Sequence, residues 1–193
     1  MADFMISYKK TMGNEGFYAN DPVDVGGETW KGVSRHYHPT WRGWKIVDAK
    51  KSEPNFPNNL KALPELEQAV QDFYKNNFWD TWLGDRIPIQ ELANEMFDTG
   101  VNMGDQRAVM FLQEALNVFN RDGDYFPDLV VDGKMGKNTL NGLDIFLKYD
   151  KPYLLVLVIN VLQGMHYINY MKKSPIQEKY ARGWFERVTL NKF

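Results

Sequence analysis

The chain has 193 residues, 25 acidic and 23 basic side chains, and a net charge of −2. This balance argues against nucleic-acid binding, which needs a strongly basic face. The absence of cysteine excludes disulfides, thiolate metal sites and cysteine nucleophiles. With 44% hydrophobic residues, the chain can build a substantial core.

The first predicted element is a helix over residues 3–13, because apolar side chains recur there at helical spacing. They are Phe4, Met5, Tyr8 and Met12. A loop rich in glycine follows over residues 15–27. Thr29 is then expected to begin a second helix that Pro39 stops, with Glu28 in its first turn, where negative charge is favourable.

The remainder of the chain continues the helical pattern. The predicted segments are 40–51, a helix starting at Pro64, 88–99, 105–121, 136–149, 152–172 and a last helix from Ser174. Residues 152–172 are apolar nearly all round, and we interpret them as a core helix because the most apolar run is too short to span a bilayer. Strand signals are scarce. The pattern predicts a mostly α protein whose opening loop has room for one small β-hairpin.

The opening loop carries the first candidate for chemistry, Glu15. This residue follows the C-terminal end of the first predicted helix, whose negative dipole raises the pKa of a nearby carboxyl group. The neighbouring Phe17 and Tyr18 add desolvation in the same direction. A carboxylic acid that stays protonated near neutral pH is what a general acid requires.

Cleavage of a glycosidic bond generally uses a second carboxylate, and Asp24 is the best candidate. Acids nine positions apart cannot meet on one helix face, but they can meet if the chain reverses between them. Asn20-Asp21-Pro22 is a strong turn signal, and Gly26-Gly27 permits a sharp return. Asp21 is expected to bond the turn backbone. The Thr29 hydroxyl either caps a helix or holds a water or substrate oxygen.

Candidate substrate contacts come from the same loop and from one later turn. The candidate set is Tyr18, Asp21, Gly27, Trp30 and Asn102. The rings of Tyr18 and Trp30 could stack on the apolar face of a sugar, or pack in the core. Asn102 could bond an N-acetyl group, or end a helix. No metal site is expected, since His36 and His38 point to different sides of a helix and the later aspartates fit turns better than a calcium loop. No cofactor motif is present.

The stretch EGFYANDPVDVGGETWKG, residues 15–32, resembles the start of glycoside hydrolase family 108. Members begin Glu-Gly-Gly-Tyr and continue with Asp-Pro-x-Asp-x-Gly-Gly-x-Thr; here Phe17 replaces the second glycine. The resemblance implies an N-acetylmuramidase that cleaves the β-1,4 bond after N-acetylmuramic acid, with Glu15 as the catalytic acid. The spacing Glu15-x8-Asp24-x4-Thr29 is also similar to the Glu-x8-Asp-x5-Thr triad of phage-type lysozymes, one residue shorter at the end.

Elements of the second half resemble the same family's C-terminal region, a predicted peptidoglycan-binding domain. They are FDTGVNMG (97–104), LQEALN (112–117), VDGKMGKNTL (131–140) and RGWFERV (182–188). The resemblance implies a lysozyme-like two-lobe architecture, which we divide into a catalytic lobe over residues 1–98 and a helical lobe over residues 99–193.

The expected partner is the peptidoglycan glycan strand, bound by a monomer with no nucleic acid and no stable membrane insertion. Because the N-terminus lacks a signal-peptide pattern, we expect synthesis in the cytoplasm and action in the periplasm or cell wall after non-classical export, for example through a holin-like pore. Two alternatives remain open: a lytic transglycosylase, and a non-catalytic module that binds peptidoglycan or activates secretion.

Overall fold

The computed structural model describes residues 1–13, 17–20, 27–188 and 190. Within them lie eight α-helices: α1 (Phe4–Met12), α2 (Gly43–Lys50), α3 (Pro64–Tyr74), α4 (Gln90–Met103), α5 (Asp105–Val118), α6 (Lys137–Tyr149), α7 (Tyr153–Lys173) and α8 (Ala181–Glu186). Three short strands, β1 (Tyr18–Asn20), β2 (Glu28–Trp30) and β3 (Val33–Ser34), form an antiparallel sheet in the order β1-β2-β3. The predicted fold class, mostly α with a small hairpin in the opening region, is confirmed.

The helix expected from Thr29 to His38 is wrong, and so is the helix-capping role of Thr29. Glu28 and Thr29 belong to β2, and Trp30 pairs with Val33 across a two-residue turn. The turn residues Lys31 and Gly32 have φ values of 44° and 78°. Positive φ at both central residues is the turn geometry that matches the twist of a hairpin. The Lys-Gly pair between two apolar residues was therefore the overlooked strand signal.

The chain divides into two compact units, of which one comprises Tyr8–Asn77. In this unit, α3 holds the β2–β3 turn in place. The Glu67 carboxylate lies 2.6 Å from the Lys31 ammonium group and accepts a 2.9 Å hydrogen bond from the Tyr8 hydroxyl. The Tyr74 hydroxyl donates to the Lys31 carbonyl at 2.9 Å. A Cβ on Gly32 would lie 2.5 Å from that hydroxyl oxygen, so the close approach requires glycine.

The second unit comprises Met1–Ser7 and Phe78–Phe193. Its aromatic centre is Trp79, which is fully buried and lies edge-on to Phe4, Trp82 and Phe97 at centroid distances of 5.7, 4.9 and 6.1 Å. The Trp79 indole N–H donates to Asp85 Oδ1 at 2.7 Å, which satisfies the one polar group of the ring. These contacts fix the first residues of the chain to the segment that precedes α4.

Helices α4, α5 and α7 pack against one another and form the helical core of this unit. The predicted core helix is present as α7, which packs against α4 and α5 and also contacts α8 and the segment 175–180, while part of its surface stays exposed. Leu155, Ile159 and Gln163 are fully buried, whereas Met165 is about half exposed. Among the described residues, α7 is the one helix long and apolar enough to cross a membrane by length and composition, with 39% of its most apolar window buried in the protein.

Several predicted boundaries are confirmed. Pro64 is the first residue of α3, and Pro175 begins the short 3-10 segment that precedes α8. Residues 98 and 99 both lie inside α4, which ends at Met103 and is followed by Gly104 with a φ of 93°. The predicted division into 1–98 and 99–193 stays a prediction.

The packing of Trp79 leads to a stability prediction for Gly84. A Cβ at this position would lie 2.3 Å from the Trp79 ring, which has no space to move. We expect Gly84→Ala to lower the free energy of unfolding by about 1–3 kcal/mol, the usual cost of overpacking. Urea denaturation followed by tryptophan fluorescence measures the effect.

The matched control is Gly183→Ala in α8, where a Cβ would meet nothing within 4 Å. This change should be neutral or stabilising by up to about 1 kcal/mol, because alanine favours helix over glycine. Equal stability of the two variants would contradict the proposed role of Gly84.

Candidate active site

The predicted site residues are distributed over three parts of the chain. Glu15, Asp21 and Asp24 lie outside the described residues. Tyr18 is in β1, Gly27 directly precedes β2, and Thr29 and Trp30 are in β2. Asn102 is in the last turn of α4. The structure therefore describes residues that flank the candidate acids in the sequence, and the roles of the acids themselves stay predictions.

The chain reverses direction between the residues that flank the candidate acids. Strand β1 pairs with β2 in antiparallel register, with Tyr18 opposite Trp30 and Asn20 opposite Glu28. Asp24 falls within the connection between Asn20 and Glu28, and Glu15 precedes β1 by three residues. The reversal that the turn signals predicted is confirmed for the described strands.

The pleat of the sheet separates two groups of predicted site residues. Side chains alternate between faces along a strand. Tyr18, Glu28 and Trp30 therefore share one face, and Thr29 lies on the opposite face beside Ala19 and Ser34, its neighbours in the register. A contact of Thr29 and Trp30 with the same substrate group is consequently not favoured by the sheet.

Trp30 is part of the core. Its side chain is 2% exposed, and its ring lies 5.9 Å from that of Phe17. The indole nitrogen has no hydrogen-bond partner in the described part of the chain. A ring that stacks on a sugar needs an exposed face, so the burial of Trp30 favours the core-packing alternative over sugar stacking.

The Glu28 carboxylate is the electrostatic centre of the described site. Only 10% of its side chain is exposed. Oε1 accepts a 3.0 Å hydrogen bond from the Tyr18 hydroxyl and lies 2.9 Å from Lys51 Nζ, while Oε2 lies 2.6 Å from Arg35 Nε. The carboxylate thus connects β1 and β2 to the residue after β3 and to the end of α2. This role differs from the helix-start position expected from the sequence.

Asp48 extends this network on its outer side. It accepts two hydrogen bonds from the Arg35 guanidinium group, at 2.6 and 3.0 Å, and lies 3.1 Å from Lys51 Nζ. The Arg35 hydrogen bonds hold the pKa of Asp48 below its usual value. Arg35 also lies 4.3 Å above the ring of Trp44, a cation–π contact. The charges of Glu28 and Asp48 are therefore balanced by those of Arg35 and Lys51.

Tyr18 has its hydroxyl group committed to this network. Burial raises its pKa, and the hydrogen bond to Glu28 acts in the same direction because it stabilises the neutral phenol. Its ring meets Phe56 edge-on at 4.9 Å. The hydroxyl thus acts as a donor that orients β1, and only the half-exposed part of the ring is available to a ligand.

Phe17 is an exposed aromatic residue that the predicted site set omitted. Its side chain is 43% exposed. The ammonium groups of Lys61 and Lys31 lie 4.8 and 5.3 Å from the centre of its ring. Lys31 is already paired with Glu67, whereas Lys61 forms no ion pair within the described residues. An exposed aromatic ring beside such a cation suits a ligand with an apolar sugar face and a nearby carboxylate. Its position two residues after Glu15 was the available sequence signal.

Gly27 and Asn102 each have a local structural role. Gly27 has a φ of 60°, a left-handed conformation that favours glycine at the entry to β2. The exposed Asn102 side chain donates to the Asp98 carbonyl at 2.8 Å, which ties it to the last turn of α4. Their predicted contacts with substrate stay predictions. In the described residues, no group of three or more His, Asp or Glu side chains is arranged to hold a metal ion.

The Glu28 network generates a prediction that distinguishes structural from catalytic acids. Glu28→Gln removes the negative charge between Arg35 and Lys51 and leaves Asp48 to compensate two partly buried cations. We expect a loss of about 1–3 kcal/mol in the free energy of unfolding. Urea denaturation measures it, with the exposed Glu65→Gln as the control. Equal stability of the two variants would show that the network does not hold the hairpin.

Comparison with known proteins identifies the two halves of the chain. The family described as glycosyl hydrolase 108 matches residues 8–104, half of the chain, and the family described as "Predicted Peptidoglycan domain" matches residues 107–189. None of the curated proteins matches the sequence.

Among solved structures, the fold resembles that of SagA from Brucella abortus. The TM-score is 0.61 at 20% sequence identity, over 96% of this chain and 88% of the SagA chain. This identity level supports similarity of fold alone. The match over residues 8–104, which contains the whole hairpin sheet, shows that the chain belongs to the glycosyl hydrolase 108 family.

Proposed function

We propose that this glycoside hydrolase is an N-acetylmuramidase, which cleaves the β-1,4 bond between N-acetylmuramic acid and N-acetylglucosamine in peptidoglycan. One observation carries the proposal: the β1–β2 reversal between Asn20 and Glu28 lies within the region matched by the hydrolase family. The match of residues 107–189 to a peptidoglycan domain supports the substrate.

In the proposed mechanism, Glu15 protonates the glycosidic oxygen as the bond breaks. Asp24 either activates a water molecule or stabilises the positive charge that develops on the sugar ring. Thr29 assists by holding a water or substrate oxygen, from the sheet face opposite Tyr18. Glu28, the remaining acid in the described part of the hairpin, is already committed to Tyr18, Arg35 and Lys51 and is not assigned a proton-transfer role.

The first test is Glu15→Gln, which removes the transferable proton while keeping the shape of the side chain. We expect release of soluble muropeptides from purified peptidoglycan to fall by about 10²–10⁴-fold, the usual contribution of a general acid. Glu65→Gln on the exposed first turn of α3 is the matched control. If a folded Glu15→Gln protein cleared cell wall at the wild-type rate, Glu15 would not be the acid.

The chemistry of the products separates the proposal from its alternatives. After borohydride reduction, mass spectrometry should find reduced N-acetylmuramic acid at the new chain ends. Anhydromuramic ends would instead identify a lytic transglycosylase. Binding to cell wall without any new reducing ends would favour the non-catalytic module that binds peptidoglycan or assists secretion.

The role of the second carboxylate is tested by Asp24→Asn. A base that activates water is needed only if the product is hydrolysed, so for that role we expect a loss of activity of about 10²-fold or more. The initial rate of reducing-end formation measures it, and Asp122→Asn, an exposed loop substitution, is the control. Full activity of Asp24→Asn would leave the mechanism with one acid, as in a transglycosylase.

A further inference from the structure

A cavity of about 590 Å³ lies entirely within the region matched by the peptidoglycan domain. One wall is the loop after α5, residues 126–136, and the other is the first turn of α6. None of the predicted catalytic residues contributes to it. The volume falls in the range of typical ligand pockets.

The loop wall is fixed by three amide side chains: Gln113 and Asn117 of α5, and Asn120, two residues after the end of this helix. Asn117 accepts a hydrogen bond from the Leu129 N–H at 2.7 Å and donates to the Leu129 carbonyl at 2.9 Å. Asn120 donates to Asp128 Oδ1 at 2.6 Å. These contacts hold the outer part of the loop, so the cavity is largely formed before any ligand binds.

Gln113, which is 2% exposed, holds the inner part of the same loop. Its Oε1 accepts from the Gly133 N–H at 2.9 Å, and its Nε2 donates to Asp132 Oδ1 at 3.0 Å and to Thr139 Oγ1 at 3.2 Å. Gly133 has a φ of 70°, and a Cβ there would lie 2.3 Å from Gln106. The loop therefore packs tightly against α5 at this point.

The cavity lining carries both signs of charge. Asp128 and Asp132 each accept hydrogen bonds through Oδ1, and in the described part of the chain no partner is found for Oδ2 of either residue. Lys134 and Lys137 form no ion pair within the described residues. Two carboxylates and two ammonium groups thus have capacity for a ligand that itself carries amines and carboxylates.

The lining is poorly suited to a sugar. Sugar sites present aromatic faces to the apolar side of a pyranose ring. The aromatic residue in this lining is Phe126, which is 5% exposed, and the other described lining residues are not aromatic. The remaining lining is formed by polar, charged and aliphatic side chains, which suit a peptide better than a pyranose ring.

A second cavity of about 280 Å³ adjoins the first. The two share Gly136, Lys137 and Asn141 as lining residues, and the second adds Arg86 and Asp144. The combined groove follows the start of α6 and again presents one cation and one anion. An elongated groove with alternating charge fits a short extended chain better than a compact molecule.

From these observations we infer that the groove binds the peptide stem of peptidoglycan rather than its glycan strand. The carboxylates of the stem would meet Lys134 and Lys137, and the free amine of its diamino acid would meet Asp128 and Asp132. The inference rests on the proposed function for its choice of polymer, and it assigns the peptidoglycan contact of this region to the peptide part.

The test is isothermal titration of the full chain with a synthetic stem peptide, L-Ala-γ-D-Glu-diaminopimelate-D-Ala, and separately with a peptide-free chito-oligosaccharide. Lys134→Gln/Lys137→Gln should weaken binding of the peptide by about tenfold, because two charge-assisted contacts are lost. The control, Lys148→Gln/Lys151→Gln, makes the same charge change outside the groove and should bind like the wild type.

A direct measurement on the wild type complements the variants. Addition of the peptide should shift the amide NMR signals of Gly133 and Gly136. Absence of peptide binding, equal binding by the two double variants, or unshifted Gly133 and Gly136 signals would overturn the inference. Binding of the oligosaccharide at the same signals would overturn it in favour of a glycan site.

The two proposals fail separately. The stem peptide contains no glycosidic bond, so its binding does not depend on Glu15 or on cleavage. A protein that bound the peptide but released no reducing ends would retain this inference and lose the proposed enzymatic reaction. A protein that cleaved peptidoglycan normally and ignored the peptide would do the reverse.

Discussion

The geometry of the hairpin depends on the Glu28 carboxylate and the three side chains that surround it. A hairpin of two three-residue strands has too few backbone hydrogen bonds to be stable by itself. Here Tyr18, Arg35 and Lys51 converge on one largely buried carboxylate and connect the strands to α2. On the other side, Glu67 and Tyr74 of α3 fix the turn at Lys31. The helices therefore supply the rigidity that the short strands lack.

The contacts of Glu28 indicate which role this acid of the opening region has. A carboxylate whose oxygens already contact two cations and a phenol hydroxyl is committed to holding those groups together. Glu28 meets that description, which makes it structural. The same pairing engages Arg35 and Lys51 with Glu28 and Asp48, so both cations already have partners within the described residues.

Local signals in the sequence were sufficient for α1, for the proline at the start of α3 and for the mostly α fold, since each depends on residues within a few positions. The helix prediction for residues 29–38 was wrong because the structure of this stretch depends on residues that are distant in the sequence. Lys31 meets Glu67 and Tyr74, which are 36 and 43 positions away. Periodicity cannot report such contacts. The same limit applies to Trp30, whose burial follows from tertiary packing. It applies also to Gln113 and Asn117, which resemble ordinary polar helix residues in the sequence but bind the loop that follows α5.

The contrast between the two matched regions suggests how a hydrolase of a polymeric substrate can divide its work. Bond cleavage requires a few groups held tightly, which the Glu28 and Lys31 contacts provide for the hairpin. An enzyme that stays bound to a polymeric substrate while it moves along it needs contacts that form and break readily. The lysines and carboxylates of the inferred groove would give such contacts, since exposed ion pairs are weak in water and sensitive to salt. A weak contact on the same polymer still raises the local concentration of the next bond to be cut. A much higher affinity for the polymer would slow the release of the cleaved product. Modest, charge-based binding is therefore expected for an enzyme that must dissociate from its product.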